Sequence, residues 1–92
     1  GRLNAIPRHL PVLELFAGSG NFTEVLAAAG FDSITAVDVV PEAIAKLAER
    51  SLPGVTTTTC DLFDATAFAE LMRSHRQAEV LLLDPPRDGL KC

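Results

Sequence analysis

Two clusters in this chain carry residue types and spacings that can do chemistry. The first is Glu14-Leu15-Phe16-Ala17-Gly18-Ser19-Gly20-Asn21-Phe22-Thr23, where an apolar run passes through a Gly-x-Gly turn into helix-forming sequence. Glycine tolerates the backbone angles of a tight turn, and a helix that starts there presents N–H groups that a ligand can approach. The second is Asp84-Pro85-Pro86-Arg87-Asp88-Gly89, directly after the apolar run Val80-Leu81-Leu82-Leu83. Pro85 biases Asp84 to extended backbone, so its side chain projects from a strand end. In one parallel sheet, two such strand ends open on a single crevice, the place where open α/β sheets bind ligands.

Further carboxylates fall at similar places. Glu14 lies inside the first apolar run, where a carboxylate is costly without partners. A ligand ammonium or backbone N–H groups would supply them, whereas a pyrophosphate would be repelled. Asp38 closes a second apolar run and is placed either to accept from both hydroxyls of an adenosine ribose or to serve as an acid at the start of the next helix. In the ribose role its truncation should leave thermal stability nearly unchanged. Asp61, just past a third run, can accept from an exocyclic adenine amine; Asp64 competes for that role but suits a helix cap better. Arg87 either meets RNA phosphate or pairs with Asp84 or Asp88. A lone Gly-x-Gly also fits a simple chain reversal, and a dinucleotide fingerprint would want Gly or Ala where Thr23 stands.

The elements that must position these residues alternate regularly. Pro11–Phe16, Ser33–Val37, Val55–Thr59 and Glu79–Leu83 read as strands, the last continuous enough to be covered on both faces. Phe22, Val25, Leu26 and Ala29 follow helical spacing before Gly30. Pro41 opens a second helix to about Arg50, with Ile44, Leu47 and Ala48 inward and Glu42–Lys46 as an i, i+4 pair. A third helix begins at Asp64, with Ala65, Phe68, Ala69 and Met72 as its buried stripe. The pattern βαβαβαβ, with right-handed crossovers, is half of a doubly wound α/β fold.

Composition removes several function classes. The 92 residues carry 48% hydrophobic and 22% charged residues with a net charge of −4, a globular core and not a disordered tail. The acidic balance argues against this segment being the main surface that grips nucleic acid. Cys60 and Cys92 have no ligand spacing, so neither a metal site nor a disulfide framework follows, and a reduced cytoplasmic setting is expected. No apolar run approaches the ~18 residues of a membrane span, and Gly1-Arg2-Leu3-Asn4 opens no signal peptide.

With Asp38 and Asp61, the two clusters resemble the S-adenosylmethionine (SAM) domain of uracil-5 RNA methyltransferases, which modify tRNA and ribosomal RNA. The similarity runs from Pro11 nearly to the end and corresponds to the first half of that family's catalytic domain. It implies a Rossmann-like class I SAM methyltransferase fold with strand order 3-2-1-4 and a leader over residues 1–10. It further implies that Phe16, Asn21, Asp38 and Asp84 contact SAM, with Gly18 and Gly20 lining the turn and Asp61 near adenine; Glu14 joins this cofactor-binding set through the ligand ammonium it could meet. The family's nucleophile is a cysteine in a Ser-Cys-Asn-Pro motif, which adds to carbon 6 of uracil while a later glutamate removes the carbon 5 proton. Neither motif occurs here, so no catalytic residue is assigned; Cys92 lacks that setting and is read as a bystander. By the same resemblance, an RNA-binding domain and, in some members, an iron–sulfur cluster would lie N-terminal to this segment.

The expected activity is therefore the SAM-binding part of an RNA methyltransferase, with RNA as partner and no catalysis by these residues alone. The alternatives are an amino-group methyltransferase, disfavoured because Arg87 stands where an aromatic would stack the base; an NAD-dependent oxidoreductase, disfavoured by Thr23 and Glu14; and a non-catalytic interaction module. An apolar, uncharged fourth strand at a sheet edge is also expected to promote self-association.

Overall fold

The computed structural model describes residues 6–83. Among them four strands alternate with three helices: β1 (Val12–Leu15), α1 (Asn21–Ala28), β2 (Ile34–Asp38), α2 (Pro41–Glu49), β3 (Val55–Thr59), α3 (Ala65–Ser74) and β4 (Val80–Leu83). The strands form one parallel sheet in the order β3-β2-β1-β4, as expected from the sequence. Chain direction reverses its lateral course at β1, whose neighbours are β2 on one side and β4 on the other. That is the topological switch point where such sheets open a binding crevice.

Alternate residues of β1 and β2 feed two separate layers. Val12 and Ile34 pack with Leu26 and Phe31, while Ala36 packs with Ile44, Leu47 and Ala17, so α1 and α2 cover one face. Leu13, Leu15 and Val37 point the other way and meet Leu62 and Leu71, with Phe68 and Met72 packed against them, so α3 covers the second face. Burying each such aliphatic side chain contributes about 1.5–3 kcal/mol. β1 is the strand with all four residues buried, as its central position requires.

The helical stripes sit slightly differently from the expectation. In α1 the buried residues are Thr23 and Leu26, and Val25 is exposed. In α3 Ala65 and Ala69 face solvent and Leu71 is the buried residue; in α2 Ala48 is likewise exposed. These helices are short and touch the sheet along a narrow line, so the largest aliphatic wins the contact and alanine yields it. The cap at Asp64 is present: its carboxylate accepts from the Ala67 amide at 2.9 Å. An ion pair, Arg50–Glu24, links the end of α2 to α1, whereas Glu42 and Lys46 do not come within ion-pair distance.

Within the described part of the leader, Arg8 donates from Nε to the Ala29 carbonyl at 2.7 Å and sits 4.8 Å from the Phe31 ring centroid. A cation at the carbonyl end of α1 complements the helix dipole and satisfies a terminal acceptor.

β4 is uneven across its faces. Val80 and Leu82 pack against the Val12–Leu26–Phe31–Ile34 cluster, whereas Leu81 and Leu83 are 50% and 63% exposed. The exposed pair shares the face of Leu13 and Leu15, which α3 covers over β1 and β2.

Candidate functional site: the crevice at the ends of β1, β2 and β3

The turn after β1 is built from left-handed backbone. Phe16 has φ 61°, Gly18 φ 62° and Gly20 φ 100°. Such a conformation costs a bulky residue of order 1–3 kcal/mol and persists only where the surroundings fix it. Here the Phe16 ring packs against the Leu13–Leu15–Leu71 cluster and tilts against Phe63, ring centroids 5.6 Å apart. At Gly18 the requirement is conformational, since a methyl group there would meet nothing closer than ordinary contact. At Gly20 it is also steric: a Cβ would run into Leu47 Cδ1 on α2.

Two amides of this turn already have partners inside the protein. Gly18 N–H donates to Asp38 Oδ2 at 2.5 Å, and Gly20 N–H donates to the Ala17 carbonyl at 3.2 Å. Asp38 reaches the turn because Ala17 N–H extends the β1–β2 pairing by bonding Val37 O at 2.9 Å, which sets the end of β2 beside Gly18. The other carboxylate oxygen, Oδ1, accepts from Val39 N at 2.6 Å and Val40 N at 3.2 Å. Asp38 is thus buried and ties two loops together, so its truncation cannot leave stability unchanged as the ribose role alone suggested.

Glu14 is fully buried on the α1 face of the sheet, and its Oε1 accepts from the Thr23 hydroxyl at 2.5 Å. A hydroxyl on α1 supplies this contact. Thr23 therefore has a positive role at the position where a dinucleotide site would need glycine. Asn21 is exposed at the first position of α1, next to the turn.

β3 brings Asp61 alongside. Asp38 pairs with Thr59, and Cys60 N–H bonds the Asp38 carbonyl at 3.0 Å, so Asp61 emerges from the neighbouring strand end. It is exposed, and Oδ1 accepts from Phe63 N at 3.0 Å, holding Phe63 in a tight turn. Phe63 is 76% exposed and Val40 44%, so each presents apolar surface next to the carboxylate that precedes it, Asp61 and Asp38. Phe63 escaped the sequence reading, although an aromatic set between Asp61 and Asp64 was a usable signal.

Arg50, at the end of α2, also escaped it. Its guanidinium donates to Ser19 O at 3.0 Å and to Glu24 at 2.5 Å, pinning the glycine turn to α2 from behind. Cys60 is half-buried in a shallow groove between β3 and α3 that Thr58, Glu70 and His75 also line. Burial pushes its thiol pKa up, and the nearby Asp61 and Asp64 carboxylates push it further, the opposite of an activated nucleophile. Among the described residues no three metal-ligating side chains converge, and no helix is long and apolar enough to cross a membrane. Asp84, Arg87 and Cys92 lie outside the described residues; Leu83 stands beside Leu15, so β4 ends on the same edge as β1.

Chemically, this crevice offers carboxylates and an apolar aromatic wall, and the Gly18 and Gly20 amides are committed internally. It suits a ligand with hydroxyl or amine donors and a flat apolar portion, and it repels phosphate.

The sequence profile of the FtsJ-like methyltransferases matches residues 2–86. The chain belongs to the FtsJ-like methyltransferase family. Among its relatives, an uncharacterised RNA methyltransferase of Nitrosomonas europaea is 46% identical over 80 residues, which are 87% of this chain and 20% of that protein. The 23S rRNA (uracil(1939)-C(5))-methyltransferase RlmD of Halomonas elongata is 43% identical over 84 residues, 88% of this chain and 17% of that protein. The chain therefore spans about a fifth of the length of these relatives. Among solved structures, a SAM-dependent methyltransferase from Agrobacterium tumefaciens superposes with a TM-score of 0.67 at 27% identity, covering 94% of this chain and 28% of that one. The methyltransferase fold inferred from the sequence is the one observed.

Proposed function

We propose that this chain is the SAM-binding portion of an RNA methyltransferase that methylates carbon 5 of uridine in ribosomal RNA or tRNA. The observation that carries the cofactor is the bond from Gly18 N–H to Asp38 Oδ2. It sets a carboxylate against the glycine turn, close to the helix start where a dinucleotide fold would receive pyrophosphate, and so favours a cationic, hydroxyl-bearing adenosine ligand. Asp38 would hold the ribose, Asp61 and Phe63 the adenine, and Phe16, Gly18, Gly20 and Asn21 would shape the pocket around them. Glu14, tied to Thr23, would fix the floor of the turn, and Asp84 would act from the end of β4. Bound SAM supplies an electrophilic methyl group. RNA as the acceptor, and uracil carbon 5 as its reactive atom, are supported by the likeness to RlmD and to the Nitrosomonas RNA methyltransferase, and by the Asp-Pro-Pro-Arg-x-Gly motif at residues 84–89. Such an enzyme would work in the cytoplasm.

Isothermal titration of the chain with S-adenosylhomocysteine and with NAD tests this reading. Saturable binding of S-adenosylhomocysteine and none of NAD is expected. NAD binding without any response to S-adenosylhomocysteine would sink it in favour of the oxidoreductase alternative.

A further inference from the structure

The peptide plane between Ser19 and Gly20 is held at both ends. Its N–H, on Gly20, donates to the Ala17 carbonyl at 3.2 Å, and its carbonyl, on Ser19, accepts from Arg50 Nη1 at 3.0 Å. Turning that plane over would change ψ of Ser19 and φ of Gly20 and little else, and glycine accepts φ of either sign. The observed φ of 100° at Gly20 is therefore selected by the groups around the turn and not by the residue itself. Arg50 is placed to make that selection. The second nitrogen of its planar fork donates to Glu24 at 2.5 Å, so the guanidinium is fixed against α1 while it reaches the turn. A Cβ on Gly20 would come within 3.1 Å of Arg50 Nη1, so the cation lies against backbone that glycine leaves open. The pair with Glu24 is part-exposed, at 29% and 58% for the two side chains, and such pairs add little to stability. Its effect is on orientation.

We propose that Arg50 is a positioning residue for cofactor binding: it locks the Ser19–Gly20 peptide plane, and with it the turn that carries the Gly18 amide to Asp38. This rests on the adenosine-ligand reading of the crevice and adds to it a residue that acts only through the turn. Glu24 orients the lock, and Ser19 contributes its carbonyl and not its hydroxyl.

The test compares the parent chain with Arg50→Ala, Arg50→Lys and Glu24→Gln in titration with S-adenosylhomocysteine, thermal unfolding and hydrogen exchange at the Gly20 amide. Arg50→Ala should weaken binding about three- to tenfold, the range for one partly exposed hydrogen bond, and speed exchange at Gly20 by a similar factor. Arg50→Lys, which keeps a donor for the Ser19 carbonyl, should recover most of the affinity. Glu24→Gln, which keeps an acceptor for the guanidinium, should bind within about twofold of the parent. An arginine that served stability alone would lower the melting temperature and leave both binding and Gly20 exchange unchanged well below the melt. That result, or an Arg50→Lys variant as weak as Arg50→Ala, overturns the assignment. Failure of the parent to bind S-adenosylhomocysteine overturns the adenosine-ligand reading instead, and faster Gly20 exchange in ligand-free Arg50→Ala would still uphold the lock on the turn.

Discussion

A carboxylate that accepts from three backbone amides in two loops cannot be truncated without stranding donors. Asp38→Ala is therefore expected to act on affinity and stability together. It should weaken S-adenosylhomocysteine binding by about 1.5–3 kcal/mol, through loss of a charge-assisted hydrogen bond, and destabilise the fold by about 1 kcal/mol, through lost hydrogen bonds to part-buried N–H groups. For a domain of this size each kcal/mol moves the melting temperature by roughly 4–8 °C. Asp38→Asn should not rescue stability, because both oxygens accept and an amide nitrogen would face a donor. Calorimetric titration and thermal unfolding check this, and a variant that melts and binds like the parent would reduce Asp38 to a helix-start acid. The position of Asp38 at a strand end was legible in the sequence. Its three amide partners were not, since they depend on Gly18 being brought beside β2 by pairing that no local pattern encodes. Thr23 was read only as a missing glycine for the same reason: its hydroxyl matters through Glu14, which it meets only once α1 folds back onto β1.

The elements themselves followed from pattern. Alternating apolar runs and helical spacing located all seven, and the continuous apolar character of β4 indicated a parallel sheet. The facing of the helices was less legible, as Val25, Ala48, Ala65 and Ala69 illustrate, because periodicity gives a stripe but not which residue meets the sheet first. The packing of α2 on the glycine turn yields a prediction at this scale. Gly20→Ala forces both a left-handed alanine, at about 1–2 kcal/mol, and a clash with Leu47, at about 1–3 kcal/mol. Gly18→Ala carries only the first cost, since space is open there. Gly20→Ala should thus melt well below Gly18→Ala in parallel denaturation curves. Equal melting temperatures would show that α2 shifts freely and that the contact of Leu47 with the turn contributes little.

At the scale of the whole molecule, the expected self-association acquires an address. Leu81 and Leu83 stand exposed on β4, an uncharged strand with one edge unpaired among the described residues, and such edges template association. The pair Leu81→Lys and Leu83→Lys should lower the apparent mass in light scattering at high concentration without a large loss of stability. Leu82→Lys should instead cost stability, because Leu82 packs into the α1 layer. A parent chain that is monomeric at high concentration would remove the basis for this expectation.

The order of strands also sets a sequence of events in time. β1, α1, β2, α2 and β3 bring neighbours in the chain together, but β4 must find β1, with Val80 landing on Val12 across nearly the whole described length. Closing so long a loop is entropically the last favourable step. As the chain emerges during synthesis, the β3-β2-β1 half can assemble while one side of β1 still waits for its partner. In native-state hydrogen exchange, the β4 amides should open at lower free energy than those of β2. Were β2 and β4 to open together, the sheet would be a single cooperative unit. If β4 opens first, the strand that leads into Asp84 is also the one that can detach while the glycine turn and Asp38 stay latched.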